Sequence, residues 1–187
     1  LKEEPDRWEF YVALGGAQSS QGKYQDAAHT YETGIQKAQN TQPDPKNPFG
    51  DPARIKSGIA QMLNQQSNAY LQLGKTDEAV KSYAKAAESS PTPATAYYNL
   101  CSVLYNLRRE QEALPACEKA LVADPKKADA YFVKGSILTA GGRLDSSGKI
   151  FVPAAAVEAL KKYLELAPDG PHANEAKQML DRAVVGN

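Results

Sequence analysis

The chain has 187 residues, 42% hydrophobic and 24% charged, with 22 basic side chains against 22 acidic ones and no formal net charge. That balance leaves no basic stripe of the sort nucleic-acid binding needs. No run of about 18 apolar residues exists to cross a membrane.

The chain opens at Leu1 rather than Met, which reads as a processed or trimmed piece, so the absence of a signal peptide from it carries no information. Leu1 to Pro5 form a polar lead, and Asp6 is placed to cap a helix running to about Ser20. Gly22-Lys23 makes a turn, and a partner helix runs from about Tyr24 to Gln39. Residues 40–51, NTQPDPKNPFGD, carry Pro43, Pro45 and Pro48 and are read as an inserted loop. Asp51-Pro52 starts the next helix, with an acceptor at the cap and proline in the first turn. That helix, Ala53 to Leu73, is about two turns longer than its counterparts and is expected to project at one edge.

Thr92 to Pro125 is the clearest helix–turn–helix unit. Tyr97, Leu100, Cys101 and Leu104 make one apolar stripe; Ala113, Cys117, Ala120 and Leu121 make the matching one. Asp124-Pro125 stops the second helix, since proline cannot donate the next helical hydrogen bond. Neither helix is long enough to stand alone in water, so the unit predicts neighbours like itself. The next pair starts at Lys126, reaches Gly141-Gly142, is interrupted by RLDSSGKIFV, and resumes at Pro153. Within the interruption, Ile150-Phe151-Val152 is read as a short extended piece packing back over the helices, with docking on a second copy as the other outcome. Gly142 to Lys149 lacks the glycine spacing, the hydroxyl after lysine and the preceding strand of a phosphate-binding loop. Tyr163 stands where the other units have Gly34, Ala86 and Ala120, which predicts looser or different packing there. His172 to Val184 reads as a capping helix with Ala176, Met179, Leu180 and Ala183 inward.

Pro91 and Pro125 lie 34 residues apart, and the turns Gly22-Lys23-Tyr24, Gly74-Lys75-Thr76 and Arg108-Arg109-Glu110 align on that period. Trp8, Tyr11, Leu14, Gly15, Gly22, Tyr24, Ala27 and Tyr31 resemble the tetratricopeptide repeat signature, as do Tyr70, Gly74, Ala79, Tyr83, Ala86 and Pro91. The resemblance covers nearly the whole chain. It implies an all-α, right-handed superhelix (an α–α solenoid) of four helix pairs plus a C-terminal capping helix. The expected divisions are repeat 1 at 6–39, the proline-rich insert at 40–51, repeat 2 at 52–91, repeat 3 at 92–125, repeat 4 at 126–168 with an insert at 143–152, and the cap at 171–184.

Function follows from what the faces carry. His29 and His172 sit in different repeats, and no cluster has metal-ligand spacing or pairs a nucleophile with a base. No enzyme, metal or cofactor is therefore expected. Cys101 and Cys117 point into one helix interface, either bridged, which favours an oxidising compartment, or serving as small buried residues. The closing repeat resembles bacterial envelope repeat proteins, so a periplasmic or otherwise exported setting is expected, with the cytoplasm as the alternative.

In this family the first helix of each pair lines the concave surface. The stripe there is Glu9, Val12, Ala13, Gly16, Ser19 and Ser20 in the first pair, and Gln61, Asn64, Gln65, Asn68, Leu71 and Gln72 in the second. In the third it is Thr95, Tyr98, Asn99, Ser102, Tyr105 and Asn106; in the fourth it is Asp129, Phe132, Val133, Ser136, Thr139 and Ala140. Only Glu9 and Asp129 are charged. Amides both donate to and accept from a peptide backbone, and tyrosines give contact area at small entropic cost. The expectation is a non-catalytic scaffold that holds an extended, largely uncharged peptide on Asn64, Asn68, Gln72, Tyr98, Asn99, Tyr105 and Phe132. Self-assembly, as a homodimer through the 143–152 insert or the long 53–73 helix, is the alternative. Family members that clamp acidic chaperone tails use basic residues and two asparagines; at the matching places, Asn64, Asn68, Asn99, Asp129 and Val133, the asparagines Asn68 and Asn99 are present and the basic residues are not, so no such clamp is expected.

Overall fold

Three turns of one design fold the helices into hairpins. Gly22, Gly74 and Arg108 adopt φ of 74°, 70° and 58°. In each turn the residue in this left-handed region donates its N–H three residues back, to Ser19, Leu71 and Tyr105 respectively, all at 3.0 Å. The next residue donates five back, Lys23 to Gln18, Lys75 to Tyr70 and Arg109 to Leu104, all at 2.9 Å. These paired bonds satisfy the orphaned carbonyls of the first helix and reverse the chain.

The structure, a computed structural model, describes residues 7–42, 44 and 50–186. It comprises two compact units, Leu1–Ala96 and Tyr97–Asn187. The fold is that of an all-α tetratricopeptide-type repeat, with a small sheet added in the second unit.

The first unit contains α1 (Trp8–Ser20), α2 (Tyr24–Asn40), α3 (Pro52–Gln72) and α4 (Thr76–Ser89). Asp51 caps α3, its Oδ1 accepting from the N–H of Ala53 at 2.7 Å and of Arg54 at 3.2 Å. Arg7 flanks α1 without a side-chain cap; Asp6 lies outside the described residues, as do Pro43, Pro45 and Pro48 of the insert. The additional turns of α3 do not project. Ile55 and Gly58 are buried, and a Cβ on Gly58 would lie 2.1 Å from Trp8 Cζ3. The indole occupies the space that only glycine leaves, so the extension is a bed for Trp8.

One packing rule recurs. The ring of Tyr31 lies so close to Gly15 that a Cβ there would stand 2.5 Å from Cε1. At the equivalent places the second pair buries Ser67 and Tyr83. The fourth sets Leu160 against Gly135, where a Cβ would stand 2.7 Å away. A small residue on the first helix thus receives a larger one from the second. In the third pair those two places are Cys101 and Cys117. They are joined in a disulfide across a Cα–Cα distance of 5.1 Å.

Most of α5 (Pro93–Asn106) lies in the second unit, with α6 (Glu110–Ala123), α7 (Ala128–Ala140), α8 (Ala154–Leu166) and α9 (Ala173–Arg182). The insert folds as β1 (Arg143–Leu144) antiparallel to β2 (Ile150–Val152). The extended piece at 150–152 was expected to find cover on helices. It does pack on α7, with Val152 buried, and it also pairs on its other edge, in parallel, with β3 (Ala183–Val185). The capping helix consequently ends at Arg182, two residues short of the expected Val184. The β-branched pair Val184-Val185 satisfies the free edge of β2 better than another helical turn would.

Tyr163 is fully buried, not loosely packed. Its ring lies 5.4 Å from that of Phe132, and its hydroxyl accepts the His172 N–H at 2.9 Å. The larger side chain ties α8 to the start of α9.

Candidate functional site

In the first unit, α3 presents one polar stripe. Gln61, Gln65, Asn68 and Gln72 recur at intervals of four, three and four and are all exposed. None of them is charged. Their freedom differs. Asn68 Nδ2 approaches Gln65 Oε1 at 3.4 Å, while Asn68 Oδ1 accepts from the hydroxyl of buried Tyr83. Asn68 therefore also holds a core tyrosine. Asn64 is half-buried and donates to the Ala60 carbonyl at 2.9 Å; its Oδ1 is buried without a partner among the described residues. Glu9, the one charged residue of the α1 stripe, lies 3.7 Å from Arg54 and 4.0 Å from Arg7. The salt bridges offset its charge.

In the second unit, Tyr98, Asn99 and Tyr105 on α5 are half-buried and reach solvent. Lys127 Nζ lies 5.2 Å from the Tyr98 ring centre. Burial and the nearby Asp129 carboxylate raise the Tyr98 hydroxyl pKa, against a hydrogen bond with Ser102 that lowers it. Phe132 is not part of an open face. It is 5% exposed and stacked on His172 at 4.1 Å with an interplanar angle of 8°. Val133, Ser136 and Thr139 are buried with it. Ser136 Oγ donates to the Phe132 carbonyl at 2.9 Å and lies 3.8 Å from Met179 of α9. The capping helix and the segment before it cover the stripe that was expected to meet a peptide.

A second concavity escaped the sequence reading. A cleft of about 480 Å³ lies between α2 and α4, floored by Ile59, Leu63 and Tyr70 of α3. Gln66 sits beneath it. Its Nε2 donates to Ala28 O at 3.2 Å and Glu32 Oε2 at 3.3 Å, and its Oε1 accepts from Ser82 at 3.0 Å. Burial, Glu32 and Glu78 raise the Tyr70 pKa. Only the summed placement of three helices creates this cleft, so no single stretch signalled it.

Stacked antiparallel helix hairpins with a polar face on their first helices define a helical-repeat protein. Residues 64–128 match the tetratricopeptide repeat family, and the fold is of that type. It is 28% identical over 135 residues to RNA polymerase II-associated protein 3 of Rattus norvegicus, covering 72% of this chain and 19% of that protein. The chain thus spans about a fifth of that relative's length. Among solved structures, the crystal structure of MamA protein superposes with a TM-score of 0.62 at 22% identity, covering 94% of this chain and 85% of that one. The first TPR of Spaghetti (RPAP3), bound to the HSP90 peptide SRMEEVD, superposes with a TM-score of 0.55 at 25% identity, covering 67% and 93%. Among the described residues no helix is long and apolar enough to cross a membrane.

Proposed function

We propose that the chain is a non-catalytic protein-interaction module that binds an extended, largely uncharged peptide segment through the polar faces of its first helices. The uncharged row Gln61, Gln65, Asn68 and Gln72 carries this reading. Side-chain amides at helical spacing offer donors and acceptors to an extended backbone without selecting for charge. On α5, Tyr98, Asn99 and Tyr105 supply the same chemistry with aromatic area. Each neutral hydrogen bond contributes about 0.5–1.5 kcal/mol net, so affinity falls in the micromolar range.

The Spaghetti domain is bound to a peptide ending in acidic residues. That preference does not transfer to this chain. Asp129 is acidic and Val133 is buried at the places where a basic group would be needed. The disulfide of α5 and α6 supports an oxidising, exported setting for the module.

The test is selection from a displayed peptide library followed by titration calorimetry. Peptides without charge are expected to bind, and SRMEEVD is expected not to. Gln65→Ala with Gln72→Ala should weaken the selected peptide about tenfold while leaving the melting temperature unchanged. Asn68 is a poorer probe, because its removal also strands the Tyr83 hydroxyl. Equal affinity in the double variant, or tight SRMEEVD binding, would sink the reading.

A further inference from the structure

The third helix pair carries three local handicaps that the first two lack. Its turn places Arg108 at φ of 58°, where they place glycine. Pro115 stands inside α6; it has no N–H to donate, so one helical rung is missing. The buried face of α6 is Ala113, Ala116, Cys117 and Ala120, whereas α2 buries Tyr31 and α4 buries Tyr83. Small side chains remove little apolar area from water, so packing alone grips α5 weakly. The Cys101–Cys117 bond crosses this hairpin.

That bond sits behind the side chains offered to a peptide. Asn99 and Tyr98 lie two and three residues before Cys101, and Tyr105 lies four after it. All three reach solvent, while Cys101 and Cys117 are 0% exposed. The covalent tie thus holds α5 from its covered side and leaves the other side free.

We propose that the Cys101–Cys117 bond is a redox lock on the peptide-binding face of α5. The lock rests on the peptide-binding reading above and adds its regulation. Oxidised, the bond keeps Tyr98, Asn99 and Tyr105 in one array. A dithiol reductant opens it. One of its thiolates attacks a sulfur, its second thiol displaces the mixed disulfide, and the reductant leaves as its own disulfide. Two electrons and two protons pass to the chain, where Cys101 and Cys117 become thiols. Both sulfurs are buried, so attack waits for local opening of the hairpin. Once the bond is gone, the strained turn, the missing rung and the small buried face of α6 all disfavour reclosure. Apparent affinity falls with the fraction of chains whose face is formed, so a face formed in about one chain in ten binds about tenfold more weakly.

Titration calorimetry of the full chain, with an uncharged peptide selected against the oxidised form, tests this. The chain reduced with dithiothreitol, confirmed by thiol titration, is expected to bind at least about tenfold more weakly. Reoxidation with oxidised glutathione should restore the affinity. Cys101→Ala with Cys117→Ala should bind weakly whether or not reductant is present. Cys101→Gly with Cys117→Tyr rebuilds the Gly15–Tyr31 interlock without sulfur, and should bind equally well with and without reductant. A reduced chain that binds as tightly as the oxidised one, or an alanine double variant that does, overturns the proposal. Hydrogen exchange gives a readout that needs no peptide. If the oxidised chain binds no uncharged peptide, the peptide reading falls by itself and exchange decides the lock. Faster exchange on reduction, confined to α5 and α6, upholds it; α5 amides equally protected in both forms overturn it.

Discussion

Single residues decide whether each hairpin closes without strain. Gly22 and Gly74 take a left-handed φ at no steric cost, whereas Arg108 takes φ of 58° with a Cβ in place. Arg108 is exposed, so only backbone conformation is at stake. Arg108→Gly is expected to stabilise the chain by about 0.5–1 kcal/mol. The urea midpoint should rise with an unchanged slope; a fall would mean that the arginine side chain does more than the turn requires. The sequence alignment marked this arginine as the departure from glycine. The positive φ that the shared turn imposes on it is a property of the folded backbone.

At the level of elements, the third pair differs from its neighbours in how its two helices are held. Gly15 receives Tyr31 and Gly135 receives Leu160 by close packing, while Cys101 and Cys117 use a covalent bond at the same places. Two cysteines replace a ring against a small residue, and the bond offsets the contact area lost. The bridge closes a loop across a separation of 16, for which chain entropy gives about 3 kcal/mol. Reduction, or Cys101→Ala with Cys117→Ala, should therefore lower stability by about that amount and preferentially raise hydrogen exchange in α5 and α6. Equal exchange with and without reductant would show the bridge to be absent or idle in solution. The spacing of the two stripes placed both thiols in one interface; whether they bond depends on a Cα–Cα distance that the sequence does not contain.

Over the whole chain, tyrosines couple stability to pH. Tyr70 and Tyr83 in the first unit and Tyr98 in the second have pKa values raised above the ordinary 10.0. Burial leads in each case; Glu32 and Glu78 add to it at Tyr70, and Asp129 at Tyr98. A raised phenol pKa means that the folded state holds its proton more tightly than the unfolded state does. The resulting stability is fully present below the unfolded pKa and is lost as pH rises through the folded values. The melting temperature should thus fall above about pH 10 as these phenols lose their protons. Thermal melts paired with phenolate absorbance check this: full ionisation near the ordinary pKa, with no loss of stability, would contradict the raised values.

The repeat period, turn residues, small buried positions and Asp51-Pro52 start determined the helices and their pairing, because each is a local constraint that the backbone must obey wherever the helix packs. The uncharged character of the Gln61–Gln72 stripe was likewise readable, since it depends only on composition at helical spacing. Tertiary structure decided what lay against what. Phe132 is covered, not on the open face expected of it, because His172 stacks on it, and Ala183–Val185 became a strand because β2 offered an unpaired edge. The extra turns of α3 became the support of Trp8. Each outcome joins residues far apart in the chain, and a local pattern records which face is apolar without recording which partner will cover it.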